Sequence, residues 1–165
     1  MRCASALLVA LALGALASAV GGRAASGGFR ATTTIRVTAT AGDARYLVDK
    51  APEGYPNKGD VIRETSTLRN AVAQFGRPRG AVVGRDTWVT TVVTPPFARL
   101  DVRETTDLPG GTIRARGTVT VLQTTGTFQV VGGTGAYRDA RGTITLKNLN
   151  SSGTRGLSVY RLRIP

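Results

Sequence analysis

A chain of 165 residues has room for one domain rather than two. It carries 22 Lys and Arg against 10 Asp and Glu, a formal charge of +12, with no histidine and a single cysteine, Cys3. That inventory excludes a Ser-His-Asp triad, His-based acid–base chemistry and a His/Cys zinc site.

Residues 1–19 read as a secretory signal peptide. Arg2 supplies the positive start, residues 4–16 are uncharged and rich in Ala and Leu, and Ala17-Ser18-Ala19 offers small residues for cleavage. The apolar run is too short to make a convincing membrane span, which argues against the alternative of an uncleaved anchor. The expectation is a secreted protein with no cysteine and no membrane span after cleavage. Residues 20–28 are small and Gly-rich and read as a flexible segment, leaving residues 29–165 as one β domain.

From residue 29 the chain reads as strand. It holds 23 Thr and 17 Val, types that favour a pleated, half-buried surface. Residues 29–41 alternate, with Phe29, Ala31, Ile35, Val37 and Ala39 on one side and Arg30, Thr32, Thr34, Arg36 and Thr38 on the other. Residues 43–59 carry Pro52, Gly54, Pro56 and Gly59 and read mostly as a long connection. Strands follow at residues 60–68, 81–94, 98–106, 112–125, 127–131, 140–149 and 156–164. Turn chemistry separates them, as in Gly76-Arg77-Pro78-Arg79-Gly80, Pro95-Pro96 and Leu108-Pro109-Gly110-Gly111. Residues 68–74 fit a helical turn or a loop. Eight short antiparallel strands predict a closed barrel or a sandwich, and closure removes the edges that Thr/Val strands would otherwise expose.

Residues 130–142 read Val-Val-Gly-Gly-Thr-Gly-Ala-Tyr-Arg-Asp-Ala-Arg-Gly. This resembles the signature of the dirigent and allene oxide cyclase barrel families, with Tyr137 as the aromatic. Gly80-Ala81-Val82-Val83-Gly84-Arg85 and Leu108-Pro109-Gly110-Gly111-Thr112-Ile113 resemble earlier family segments in the same order. The likeness covers roughly residues 59–162. It implies an eight-stranded antiparallel closed barrel, a homotrimer or homodimer, whose lumen holds a hydrophobic or phenolic small molecule. It also implies cofactor-free control of cyclisation, isomerisation or radical coupling through restricted geometry, with a separate oxidase where radicals are needed. Residues 29–41 lack the first-strand acid of those families. Their second-strand Asn falls near Ser66 and their lumen Cys near Thr90, while the Arg of Ala-Arg-Gly is kept as Arg141.

Read by themselves, Gly132, Gly133, Gly135 and Gly142 are structural turn residues that allow positive φ and close backbone approach. A phosphate-cradling loop is disfavoured because no Lys or helix start follows them. Arg141 is the leading catalytic candidate, as an anchor for developing negative charge in a lumen, against a place on the outer wall beside Asp139. Glu64 and Asp60 share a strand face and are candidate proton acceptors. At about 13 Å along a strand they are too far apart to act as a dyad. Asp60 reads better as a turn cap, and Glu64 alternatively as an ion-pair partner. Trp88, Tyr137, Asp139, Thr90 and Ser66 are candidate substrate contacts. Tyr137 and Tyr160 have a second reading as plugs or core, and Asp101 and Glu104 read as solvated.

The function expected is a secreted barrel that steers the stereochemistry of a small-molecule reaction. The alternative is a non-catalytic carrier or a binder of anionic surface polymers. The arginines are spread out with few aromatics between them, which argues against nucleic acid.

Overall fold

The computed structural model describes residues 32–96, 98–120 and 123–165. The stretch read as a signal peptide, the Gly-rich segment, Cys3 and Phe29 lie outside the described residues. The chain forms eight strands: β1 (Thr33–Val48), β2 (Val61–Asn70), β3 (Val82–Thr94), β4 (Arg99–Leu108), β5 (Gly111–Val119), β6 (Thr125–Gly133), β7 (Arg141–Asn148) and β8 (Arg155–Arg163). Each pairs antiparallel with the next, and β8 pairs with β1 to close an eight-stranded barrel. A barrel, not a sandwich, is therefore the solution to the Thr/Val alternation.

Alternation fixes the two walls. Ile35 and Val37 on β1, Leu68 on β2, Ile113 on β5, Phe128 on β6, Ile144 on β7 and Tyr160 and Leu162 on β8 all point inward and are buried. Each such apolar side chain contributes about 1.5–3 kcal/mol when fully buried. The outward positions between them are largely Thr and Arg.

Several boundaries differ from the sequence reading: the strand expected at residues 112–125 ends at Val119 as β5, and the one expected at 127–131 spans Thr125–Gly133 as β6. β1 runs on to Val48 instead of ending at Ala41. A register shift between Ala41 and Ala44 lets it stay paired with β2, and this consumes part of the expected connection. The remaining connection is held by Asp60, whose Oδ1 accepts from the Lys50 amide at 2.9 Å and Oδ2 from the Asn57 amide at 2.6 Å. Residues 68–74 form no helical turn. β2 extends to Asn70, whose side-chain amide then donates to the Gln74 and Arg77 carbonyls and pins the following loop.

The two ends of the barrel are unlike. The end carrying the β2–β3, β4–β5 and β6–β7 turns is filled. There a short 3-10 turn, Gly135–Tyr137, drops Tyr137 into the core, and its hydroxyl donates to the Pro109 carbonyl at 3.0 Å. Two glycines at this end show why no other residue fits. Gly135 (φ +57) lies against the Gly110 carbonyl, and Gly142 (φ +144) against the Arg161 carbonyl, so a Cβ at either would collide with backbone. The other end, carrying the β1–β2, β3–β4, β5–β6 and β7–β8 connections, is open.

Candidate functional site

The open end leads into a cavity of about 300 Å³. Its space has a simple origin. β1 and β8 contribute only the small residues Ala39, Ala41, Gly42, Ala44, Gly156 and Ser158 to the lining, where Tyr160, Ile35 and Val37 fill the lumen nearer the closed end. Facing these small residues are Glu64 and Ser66 from β2 and Asp86 and Trp88 from β3. A second recess of about 190 Å³ shares Trp88, Leu146 and Asn148 with the first, so those side chains form the partition between them. The Trp88 ring packs on Phe128 with centroids 5.3 Å apart and planes tilted by 57°.

Asp86 is 2 % exposed, yet it borders the cavity, and its Oδ1 has no hydrogen-bond partner. Burial pushes its carboxyl up to about 6. Hydrogen bonds from Ser66 oppose that shift, and the Glu64 charge adds to it. Ser66 sits directly across the β2–β3 ladder from Asp86, and Glu64 directly across from Trp88. Glu64 lies further out and is exposed at the cavity wall, with its carboxyl also held above its ordinary value by the surrounding barrel.

Behind Trp88 on β4 lies Glu104, 1 % exposed. Its Oε1 accepts from the Thr106 hydroxyl at 2.9 Å and the Tyr160 hydroxyl at 3.2 Å, while Oε2 has no partner. Burial, and then the Asp86 charge, push it up to about 7. Tyr160 is raised as well, by burial and the Glu104 charge. The Trp88 indole N–H and the Ser158 hydroxyl are likewise buried without partners. The site therefore joins carboxyl groups that titrate near neutrality with unused donors and acceptors around an apolar-walled cavity. Such a set can exchange a proton with a bound molecule or orient it by hydrogen bonds.

The sequence-derived candidates divide. Glu64, Ser66 and Trp88 line the cavity. Thr90 faces inward and is buried, but it does not border that cavity. Arg141 is on the outer wall. The inward side of β7 is Gly142, Ile144 and Leu146, and the exposed Arg141 donates to the carbonyls of Val131 and Ala140. Asp139 is exposed in the turn with φ of 57°. Asp60 is a turn cap, buried and bonded to the Lys50 and Asn57 amides, and Tyr137 is a plug, buried and bonded to the Pro109 carbonyl. Glu104 is the opposite correction. It is in the core and not solvated, because it shares the inward parity of Val102, Thr106 and Leu108. Asp101 is exposed, with Arg99 at 3.9 Å.

Asp86, Glu104, Thr106, Tyr160 and Ser158 form the polar lumen together, and of these the sequence reading gave a chemical role to Tyr160 alone, as a donor or a plug. A signal for Asp86 existed, since it stands two residues before Trp88 on the same strand face.

No family model matches the sequence, and no curated relative does. Solved structures match over most of the chain. A pyocyanin demethylase is 22% identical with a TM-score of 0.59, covering 79% of this chain and 99% of that one. A pterocarpan synthase dirigent protein is 17% identical with a TM-score of 0.61, covering 82% and 95%. A Diels–Alderase from Streptomyces koyangensis is 20% identical with a TM-score of 0.62, covering 87% and 72%. The fold is thus that of the dirigent-like barrels, a class built around a central lumen, as the signature at residues 130–142 implied.

Proposed function

We propose that this protein binds a hydrophobic or phenolic small molecule in the open half of its lumen and steers a cyclisation or isomerisation of it. The observation that carries the reading is Asp86, a buried carboxyl with a free oxygen at the wall of a 300 Å³ cavity and a pKa of about 6. In its acid form it protonates an oxygen that gains negative charge as the ring closes or the bond shifts. The resulting carboxylate takes a proton back from the product-forming carbon or hydroxyl. The sum is redox-neutral and needs no cofactor. Trp88, backed by Phe128, supplies the wall that restricts the reacting conformer, and Glu104 acts through Asp86 as a positioning residue. For radical coupling, a separate oxidase would generate the radicals. The likeness to a pterocarpan synthase dirigent protein and to a Diels–Alderase supports ring closure as the reaction class.

Secretion and assembly belong to the same proposal. The Ala-rich start of the sequence supports export. Exposed Tyr46, Leu47, Val48 and Tyr55 along the β1–β2 arm support a homotrimer or homodimer.

The test is product chirality. The mature protein added to a ring-closing reaction should shift the enantiomer ratio, and Asp86→Asn should return it toward the uncatalysed value. An unchanged ratio over a panel of phenolic and polyene precursors, with folded protein, overturns the steering reading. A second reading, a carrier or binder of anionic surface polymers, rests on the outer wall, where Arg45 faces Arg63 and Arg103 faces Arg116 across strand pairs. It predicts retention on an anionic polymer that is lost at high salt, without turnover.

A further inference from the structure

The polar lumen is acidic in a strongly basic protein. The chain holds 22 cations and 10 acids. Even so, Glu64 and Asp86 line the cavity from two neighbouring strands, Glu104 lies behind Trp88 on the next, and no Lys or Arg is among the buried residues described. Lys147, exposed at the rim, is the one cation among the residues that line the cavity. Buried acids are ordinarily compensated by a cation placed beside them. With so many arginines available, none is placed inside, and Asp86 Oδ1 and Glu104 Oε2 remain without partners. Among the described residues no group of three or more His, Cys, Asp or Glu is arranged to hold a metal ion. Below their raised pKa values a proton neutralises these acids, and above them a cation carried by a bound molecule would stabilise the ionised form. The Trp88 ring at the cavity wall, backed by the buried Phe128, offers a π face to which such a cation is attracted.

We propose that the lumen is selective for an aromatic molecule carrying a positively charged nitrogen, seated with that nitrogen toward Asp86 and its ring against Trp88. This rests on the lumen-binding reading above and narrows its ligand class. A cavity of about 300 Å³ is at the small end of ligand sites and suits a two-ring heteroaromatic. Affinity should depend on pH through the acids that face one another, Glu64 from β2, Asp86 from β3 and Glu104 from β4, with Tyr160 from β8. The facing positions on β5, β6 and β7 are Ala115, Phe128 and Ile144 and do not titrate. As the pH rises past the raised values of Asp86 and Glu104, both ionise and favour a cation more strongly.

The sole tryptophan reports occupancy directly, by fluorescence quenching of the full mature protein. The probes are N-methylquinolinium, whose charge does not titrate, its neutral isostere 1-methylnaphthalene, and 1-naphthoate. At pH 8 the cation should bind at least 10-fold more tightly than the neutral probe. That preference should fall toward unity at pH 5, and naphthoate should bind weakest. Asp86→Asn should lose the preference while still binding 1-methylnaphthalene, which shows that the cavity is intact. Arg141→Ala, on the outer wall, should leave all three affinities unchanged. Equal or tighter binding of the neutral or anionic probe at pH 8 overturns the inference and leaves lumen binding standing. Binding of none of the three by folded protein overturns both.

Discussion

The Tyr160 hydroxyl donates to Glu104 Oε1 at 3.2 Å across 56 residues of sequence, joining β8 to β4 through the middle of the barrel. The bond neutralises neither group. It orders an acid whose second oxygen has no partner and whose ionisation is penalised by burial. Much of the chemistry expected of this protein follows from that arrangement and from Asp86 beside it.

Stability should depend on pH in the direction opposite to a protein held by ion pairs. Asp86 is raised from 3.8 to about 6 and Glu104 from 4.5 to about 7. Between the ordinary and raised values the folded state binds more protons than the unfolded state, so stability falls as pH rises from about 4 to about 7. The loss from Glu104 is about 3 kcal/mol. Urea midpoints should therefore drop across this window. Glu104→Gln should flatten the drop and be the more stable form at pH 8. A midpoint that rises with pH in the parent protein, or an unchanged slope in the variant, contradicts the account.

Activity should depend on Asp86 and hardly at all on Arg141. Removing a positioned proton donor lowers rates about 10²–10⁴-fold, so Asp86→Asn should abolish product control. Arg141→Ala removes bonds to the Val131 and Ala140 carbonyls at the filled end and should leave the enantiomer ratio alone. Chiral chromatography of both variants decides this.

Trp88 divides the open end into two recesses, so Trp88→Ala should join them. It should admit a larger ligand and cost about 3–5 kcal/mol of stability, as deletion of a large packed aromatic does. Ligand-size series measured by displacement would show it. An unchanged size limit would mean the partition lies elsewhere.

Gly142→Ala should be far more damaging than its chemistry suggests. The Cβ would meet the Arg161 carbonyl, and φ of +144° is hostile to any L side chain. A loss above about 3 kcal/mol is expected, since backbone must move. Tyr137→Phe at the same end loses one bond to Pro109 and should cost about 1 kcal/mol. Neither should alter ligand selectivity in the protein that still folds, which thermal melts and probe binding together would check.

Most of the fold was legible in the sequence. Period-two alternation and Gly/Pro turns located all eight strands, and the residue 130–142 signature pointed to closure. The glycines of that signature read as structural, and Gly135 and Gly142 are, because their neighbours are backbone carbonyls. Alternation also separates Arg141 from Ile144, and Asp101 from Glu104. It could not say which set faces inward, since the two faces of several strands are comparably polar: on β3, Asp86 and Thr90 lie on one face and Arg85 and Thr87 on the other. Closure decides it, by the direction in which the sheet curls. That single choice sent Arg141 to solvent and Glu104 to the core. The acid cluster was invisible for a related reason. Glu64, Asp86, Glu104 and Tyr160 are far apart in the chain and become neighbours only when the strand registers are set and β8 closes on β1. Their raised pKa values arise from the water excluded by that closure, a property of the assembled barrel that no single strand possesses.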